Sequence, residues 1–282
     1  GVSSYVAPAH LVPKPGDLVL ALLERMGRHV IDYRLLNQTT KRDAPETQDS
    51  EELLQWAMRL LWKSVADMLW GFNHLVLTNR SAKAMQFQTS KGVKEPTVLN
   101  FGIHNGPTSF QKCVNKTFDK ERAQGKTKIF LDDVTMGTGK VGAVPNPLDE
   151  KDPMAAALFI EHLRTMADIL LKAIAAGFKF KLDKAYLAQL VVKLLGFLVG
   201  QGVKSLDPEK VTAIVQTPRP TRPNDNDSVL GGVSFLRVHC GAEFADIARP
   251  MRLLLKSRQE RDGWTGPAGR RRLAKLPLAN DC

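Results

Sequence analysis

Apolar residues recur at steps of three and four from Asp152 to Gly200, the densest such stretch in the chain, and the spacing predicts a helical hairpin on which the rest packs. In the first arm Asp152 can accept hydrogen bonds from first-turn amides, and Pro153 takes the first helical position, where a missing N–H costs nothing. Glu161, Arg164, Asp168 and Lys172 make one wet stripe, while Leu158, Phe159, Leu163, Met166, Leu170 and Ile174 make a wide dry face. Gly177 supplies a left-handed cap. A second arm then runs from Asp183 through Leu187, Leu190, Val191, Leu194, Leu195 and Leu198 to Gly200. Gln189 and Lys193 interrupt the run well before the roughly 20 apolar residues that cross a bilayer, so no membrane span is expected.

The same periodicity predicts helices from Asp17 to about Asn37 and from Asp49 to Trp70, the second with Glu52 three residues after Asp49 as in a capping box and with Trp56, Trp62 and Trp70 as core aromatics. Strand-like alternation marks Thr97–Ile103, Thr127–Val134 and Val229–Cys240. Phe110–Gln124 reads as a short helix, Met136–Pro153 as a loop and Thr217–Ser228 as an extended connector. Short helices follow Asp207 and Ala242, the latter kinked or divided at Pro250. The pattern as a whole predicts a mainly α fold: a compact helical domain around a central hairpin, with a few short strands and extended terminal arms. Residues 1–16, with Pro8, Pro13 and Pro15, form the first arm; 17–258 the core, including a basic loop and strand region at about 78–151; 259–282 a basic tail.

Composition narrows the partners. The 282 residues hold 43% hydrophobic and 24% charged side chains, which excludes whole-chain disorder. Lys and Arg number 40 against 29 Asp and Glu, for a net charge of +11. The excess is concentrated. Arg80, Lys83, Lys91, Lys94, Lys112, Lys116, Lys120, Arg122, Lys126 and Lys128 face only Glu95, Asp119 and Glu121 between Asn79 and Phe130. Arg249, Arg252, Arg270, Arg271 and Arg272 lead a second basic stretch. Such segregation suits a polyanion, and the interleaved Phe87, Phe101, Phe110, Phe118 and Trp264 offer rings that stack on unpaired bases. Three distant cysteines, Cys113, Cys240 and Cys282, fit an intracellular reducing compartment, cytoplasm or virion.

Motif tests for chemistry are negative. Gly137–Gly142 has the GxGxxG spacing, yet Pro145 and Pro147 block the helix a dinucleotide loop must enter. The six histidines show no zinc-ligand spacing, and neither metal nor cofactor is expected. Asp132 and Asp133 are the one candidate metal pair, but adjacent strand residues point to opposite faces, so they converge only at a bulge and otherwise read as a solvated turn. No catalytic residue is therefore assigned. The expectation is a non-enzymatic, RNA-binding structural protein that packages single-stranded RNA and forms homo-oligomers through its arms, as a nucleocapsid or coat subunit does. Two alternatives stand beside it: an RNA-binding subunit of a large ribonucleoprotein such as an organellar ribosome, and a nucleic-acid-processing enzyme built on Asp132 and Asp133.

Overall fold

The computed structural model describes residues 6–12, 28–44, 49–218, 220, 223–234, 237, 241 and 243–261. In chain order these carry β1 (Ala7–Val12), β2 (Arg28–Ile31), α1 (Arg34–Thr39), α2 (Ser50–Arg59), β3 (Leu60–Met68), a 3-10 turn (Gly71–His74), α3 (Asn79–Ala84), β4 (Phe87–Thr89), β5 (Gly92–Lys94), α4 (Gly106–Thr117) and α5 (Asp119–Ala123). Then come β6 (Thr127–Phe130), β7 (Asp133–Lys140), α6 (Pro153–Ala175), β8 (Phe180–Gln189), β9 (Val191–Leu194), β10 (Phe197–Gly200), β11 (Val203–Leu206), α7 (Pro208–Val215), α8 (Pro223–Ser234) and α9 (Glu243–Arg261). The chain divides into two compact units, Gly1–Ser205 and Leu206–Cys282.

Three sheets, among the described residues, replace the expected helical body. The central one has the order β6-β7-β3-β8 and is antiparallel throughout. A second, β2-β1-β4-β5, holds β1 antiparallel to β2 and parallel to β4, and a third is β11-β10-β9. The mainly α prediction is thus wrong, and the reason is local. Asp49 does cap α2, accepting from the Glu51 amide at 2.9 Å, and Leu53, Leu54 and Ala57 are its buried side. After Arg59 the apolar run continues as β3, because one face meets α4 and α6 and the other meets α2 and the β9–β10 hairpin. A strand covered on both faces is apolar at most positions, here all but Lys63, Ser64 and Asp67, and its sequence looks like a buried helix.

The predicted hairpin is half right. Its first arm is α6, capped as expected by Asp152, which accepts from Met154 at 2.8 Å, and followed by Gly177 at φ 85°. The second arm is instead β8, β9 and β10. Leu195 and Gly196, at φ 48° and 86°, make the two-residue turn between β9 and β10, the backbone geometry that a tight hairpin requires. Val192, Leu194 and Val199 then point inward onto α2.

Other expectations move less. Residues 110–124 are helical as α4 and α5, and 127–134 are extended but broken by a turn at 131–132. Thr97–Ile103 contributes only the isolated bridge Val76↔Val98, and β7 occupies the first part of the expected loop after Met136. Gly137 and Gly139 lie against Leu60 and Leu61, so the GxGxxG spacing records close strand packing. Residues 223–234 are helix rather than connector and strand, with Leu230 buried on Phe244 and Ala248 of α9, which runs through Pro250. Of the first arm, Ala7–Val12 is a paired strand. The helix expected from Asp17 falls partly outside the described residues, and its remainder is β2 and α1.

The core that positions the site lies between the central sheet and two helices. Ala66, Met68, Ile129, Val134 and Met136 of the sheet pack on Phe110, Val114 and Phe118 from α4 and its end, and on Ile169 and Ala173 of α6. Buried His162 pins α6 to the sheet, its ring nitrogens 2.8 Å from Ser64 Oγ on β3 and 3.0 Å from Thr138 Oγ1 on β7.

Candidate active site

The β6–β7 hairpin turns on Leu131 and Asp132, with Phe130 and Asp133 as the closing pair. Leu131 sits at φ 53°, a left-handed conformation that costs a leucine on the order of 1 kcal/mol and persists where neighbours hold it. Gln111 on α4, 1% exposed, is the holder: its Oε1 accepts from the Leu131 amide at 2.8 Å, and its Nε2 donates to Ile129 O at 3.0 Å and Asn115 Oδ1 at 2.9 Å. A core helix thereby grips both ends of the tip.

Asp133, at the start of β7, is the ladder partner of Asp67 on β3, and Asp67 is in turn the partner of Lys181 on β8. Directly opposed residues project from the same face. Asp133, Asp67 and Lys181 therefore form one row across three strands, with Asp132 in the adjoining turn, where its carbonyl accepts from the Met68 amide at 2.8 Å. Lys181 Nζ lies 2.8 Å from Asp67 Oδ2.

The electrostatics are those of crowded acids. Burial first, then Asp67 and Asp132, pushes the Asp133 carboxyl up to about 6, with Lys181 opposing. Burial and then Asp67 likewise raise Asp132, while Lys181 and His74 pull it down. Asp132 Oδ1 is buried with no hydrogen-bond partner. It rests against Gly71, where any Cβ would collide with it. His74 closes that side: its Nε2 accepts from the Lys179 amide at 3.2 Å, and its Nδ1 faces Gly71 O at 3.2 Å, which selects the tautomer with the proton on Nδ1. Beyond Gly71, Phe72 packs between exposed Phe101, tilted against it, and buried Phe110, edge to face, with centroids 5.1 and 5.5 Å away.

Among the described residues no three His, Cys, Asp or Glu side chains stand ready as a complete metal cage. The donor set nonetheless fits a hard divalent cation. Such an ion is typically held by one or two carboxylates with substrate phosphates and water completing its shell, and an orphaned carboxylate oxygen among mutually repelling acids is what it would satisfy.

The predicted cationic residues are placed variously. Arg80 and Lys83 lie exposed on α3, Lys91 and Lys94 at the β4–β5 hairpin, Lys112 and Lys116 on α4, and Lys120 on α5. Arg122, Lys126 and Lys128 are half-buried. Lys112 pairs with Asp43 at 3.4 Å and Lys128 with Glu52, so the basic stretch is partly neutralised within its own unit. Arg249 and Arg252 are exposed on α9 of the second unit, and Arg252 also sits over the Phe244 ring at 5.9 Å. Arg270, Arg271 and Arg272 lie outside the described residues. Among the described residues of the first unit, none of these cations adjoins the carboxylate row in the way Lys181 does. Asp67, Lys181 and Gln111 were not singled out from the sequence. The available signal was Asp67 and Gly71 closing an apolar run, with the paired acids Asp132 and Asp133 closing another.

The central antiparallel sheet thus presents carboxylates from a hairpin turn and from the strand beside it. Residues 12–199 match the family described as reverse transcriptase (RNA-dependent DNA polymerase), and the chain belongs to that family. It is 29% identical over 261 residues to the retrovirus-related Pol polyprotein from transposon 297 of Drosophila melanogaster, covering 92% of this chain and 22% of that protein. To the Pol polyprotein from transposon gypsy of the same organism it is 26% identical over 276 residues, covering 98% of this chain and 24% of the relative. The chain thus spans about a quarter of the length of these relatives. Among solved structures, the foamy viral protease-reverse transcriptase in complex with RNA/DNA hybrid shares the fold at a TM-score of 0.71 and 24% identity, over 91% of this chain and 31% of that one. The double-stranded DNA complex of the foamy viral protein gives 0.68 over 91% and 48%.

Family membership overturns the packaging expectation. A non-enzymatic nucleocapsid or coat-like subunit is the wrong class, and the nucleic-acid-processing alternative is the one the family supports. The expected solvated turn is half right: Asp132 is a turn residue, so strand alternation does not separate it from Asp133, but its Oδ1 is buried rather than solvated. Among the described residues no helix is long and apolar enough to cross a membrane.

Proposed function

We propose that this chain carries the nucleotide-adding centre of an RNA-dependent DNA polymerase, joining a DNA 3′-hydroxyl to the α-phosphate of an incoming nucleotide with release of pyrophosphate. The observation that carries this reading is the row formed by Asp133 and Asp67, with Asp132 in the turn beside it. These three carboxylates are assigned as the catalytic residues and as the holders of divalent cations. Bound there, such cations would supply Lewis-acid stabilisation of charge on the phosphoryl oxygens. The protein's own part is to keep acids close together against their repulsion: Gln111 fixes the turn, Gly71 leaves room for Asp132, and the ladder fixes the spacing of Asp67 and Asp133.

On this reading the nucleic-acid partner is an RNA strand being copied and the hybrid it becomes, the kind of duplex named for the foamy viral relative. The single-stranded RNA expected from charge is then a template rather than a packaged cargo. The decisive experiment is primer extension on an RNA template with magnesium and deoxynucleotides. The unaltered chain should extend the primer, and Asp132→Asn or Asp133→Asn should lower the rate by about a thousandfold or more, the scale on which an electrostatic centre fails. Equal extension by these folded variants would overturn the assignment.

A further inference from the structure

Lys181 is the one lysine set within the carboxylate row, and the sheet is built irregularly to put it there. The β3–β8 register shifts twice, between Lys63 and Val65 and again between Val65 and Asp67, before Lys181 comes opposite Asp67. Irregularities of this kind re-aim side chains. The resulting pair is close, at 2.8 Å, and open to water, with Lys181 and Asp67 side chains 34% and 26% exposed. From there the ammonium is felt by Asp132 and Asp133 as well, and Asp183 on its own strand adds a further negative neighbour. His74 is the other basic group that acts on Asp132.

An ammonium hydrogen-bonded to Asp67 Oδ2 and a divalent cation bound at the same carboxylate compete, since two positive centres a few ångströms apart repel. Resting on the metal-dependent reading above, we propose that Lys181 is a built-in counter-ion: it holds the carboxylate row together when no metal is bound and opposes the entry of a divalent cation at Asp67. Lys181 therefore sets the metal concentration at which the centre assembles. Its removal tightens metal binding, which is the opposite of what loss of a ligand or of a merely structural contact produces.

The test is direct titration of the full chain with Mn²⁺, following free ion by electron paramagnetic resonance, with the Mn²⁺-dependent rise in thermal midpoint as a second readout. Lys181→Met should bind Mn²⁺ roughly two- to fivefold more tightly than the unaltered chain, the scale expected for removing one partly exposed charge pair. Lys181→Arg, which keeps the charge, should bind no more tightly than the unaltered chain. Lys181→Gln serves as a second neutral variant should the methionine form fail to give a native circular dichroism spectrum. Equal or weaker binding by the neutral variants overturns the counter-ion role. A separate arm guards the underlying reading: if neither the unaltered chain nor Lys181→Met shows saturable binding that Asp67→Asn abolishes, the carboxylates are not a metal centre and the functional assignment fails with the inference.

Discussion

Asp133 is an acid whose fold works against its ionised form. Its carboxyl is pushed from an ordinary 3.8 to about 6. The stability it contributes is therefore fully present below about pH 3.8 and lost as pH rises through about 6. Asp133→Asn should raise the unfolding free energy at pH 7, read from urea denaturation, by on the order of 1 kcal/mol, and should leave it nearly unchanged at pH 3.5. His162 runs the other way. Buried between Ser64 and Thr138, it is lowered from 6.5 to about 4, chiefly by desolvation and then by Lys63. Its neutral form is the folded form, so stability is lost as pH falls from about 6.5 toward 4. Chemical denaturation of the unaltered chain and of His162→Leu across that range should show the difference between them shrink as the pH drops. At pH 7 the substitution should cost about 1–3 kcal/mol, because it leaves a buried hydroxyl unpaired. Little of this was legible in advance. A lone histidine at position 162 on an apolar helix carries no mark of its partners, which lie 98 and 24 residues away in sequence.

At the scale of elements, the turn between β6 and β7 is the part that must not move, and α4 is what stops it. Gln111→Leu keeps the size of the side chain but strips the Leu131 amide of the side-chain acceptor that holds it and removes the bond to Ile129 O. It should cost about 1–3 kcal/mol of stability. It should also reduce nucleotide incorporation out of proportion, because a left-handed leucine then has nothing to hold it. Comparing kcat in primer extension with the unfolding midpoint checks this: a variant that loses stability with unchanged kcat would show that the clamp is only structural. The elements that sequence patterning placed well are those with local signals, such as α6 between Asp152 and Gly177, α2 from Asp49, and α7 from Asp207 with Pro208. Of those it misplaced, β3 is a run covered on both faces, where burial erases the difference between a period of two and a period of 3.6, whereas β8, with Lys181, Asp183 and Lys184 in it, is a half-exposed strand whose pairing to β3 no local signal marks.

For the molecule as a whole, the surplus of Lys and Arg pointed to a nucleic acid, and the family supports a nucleic-acid-processing role, although not by the sorting first expected. Lys112, Lys128, Lys172 and Lys204 are each engaged by a carboxylate within the first unit, and Arg249 and Arg252 stand exposed in the second. If the chain acts as proposed, its binding to a nucleic-acid duplex should weaken steeply with salt. Replacing Arg249 and Arg252 together by alanine should lower the slope of log affinity against log salt by about one to two if both reach phosphates, as fluorescence anisotropy would read directly.

Composition, charge and helix caps are local properties, and the amino-acid sequence alone determined them: a folded, basic chain with well-marked helix starts at Asp49, Asp152 and Asp207. Whether an apolar run became a buried strand or a buried helix was decided by what packed on its second face, which only the tertiary structure supplies. The site belongs to the same class of decision. Asp67, Asp132 and Lys181 are distant in sequence, and strand pairing in a twice-shifted register is what sets an acid, its neighbours and their counter-ion side by side.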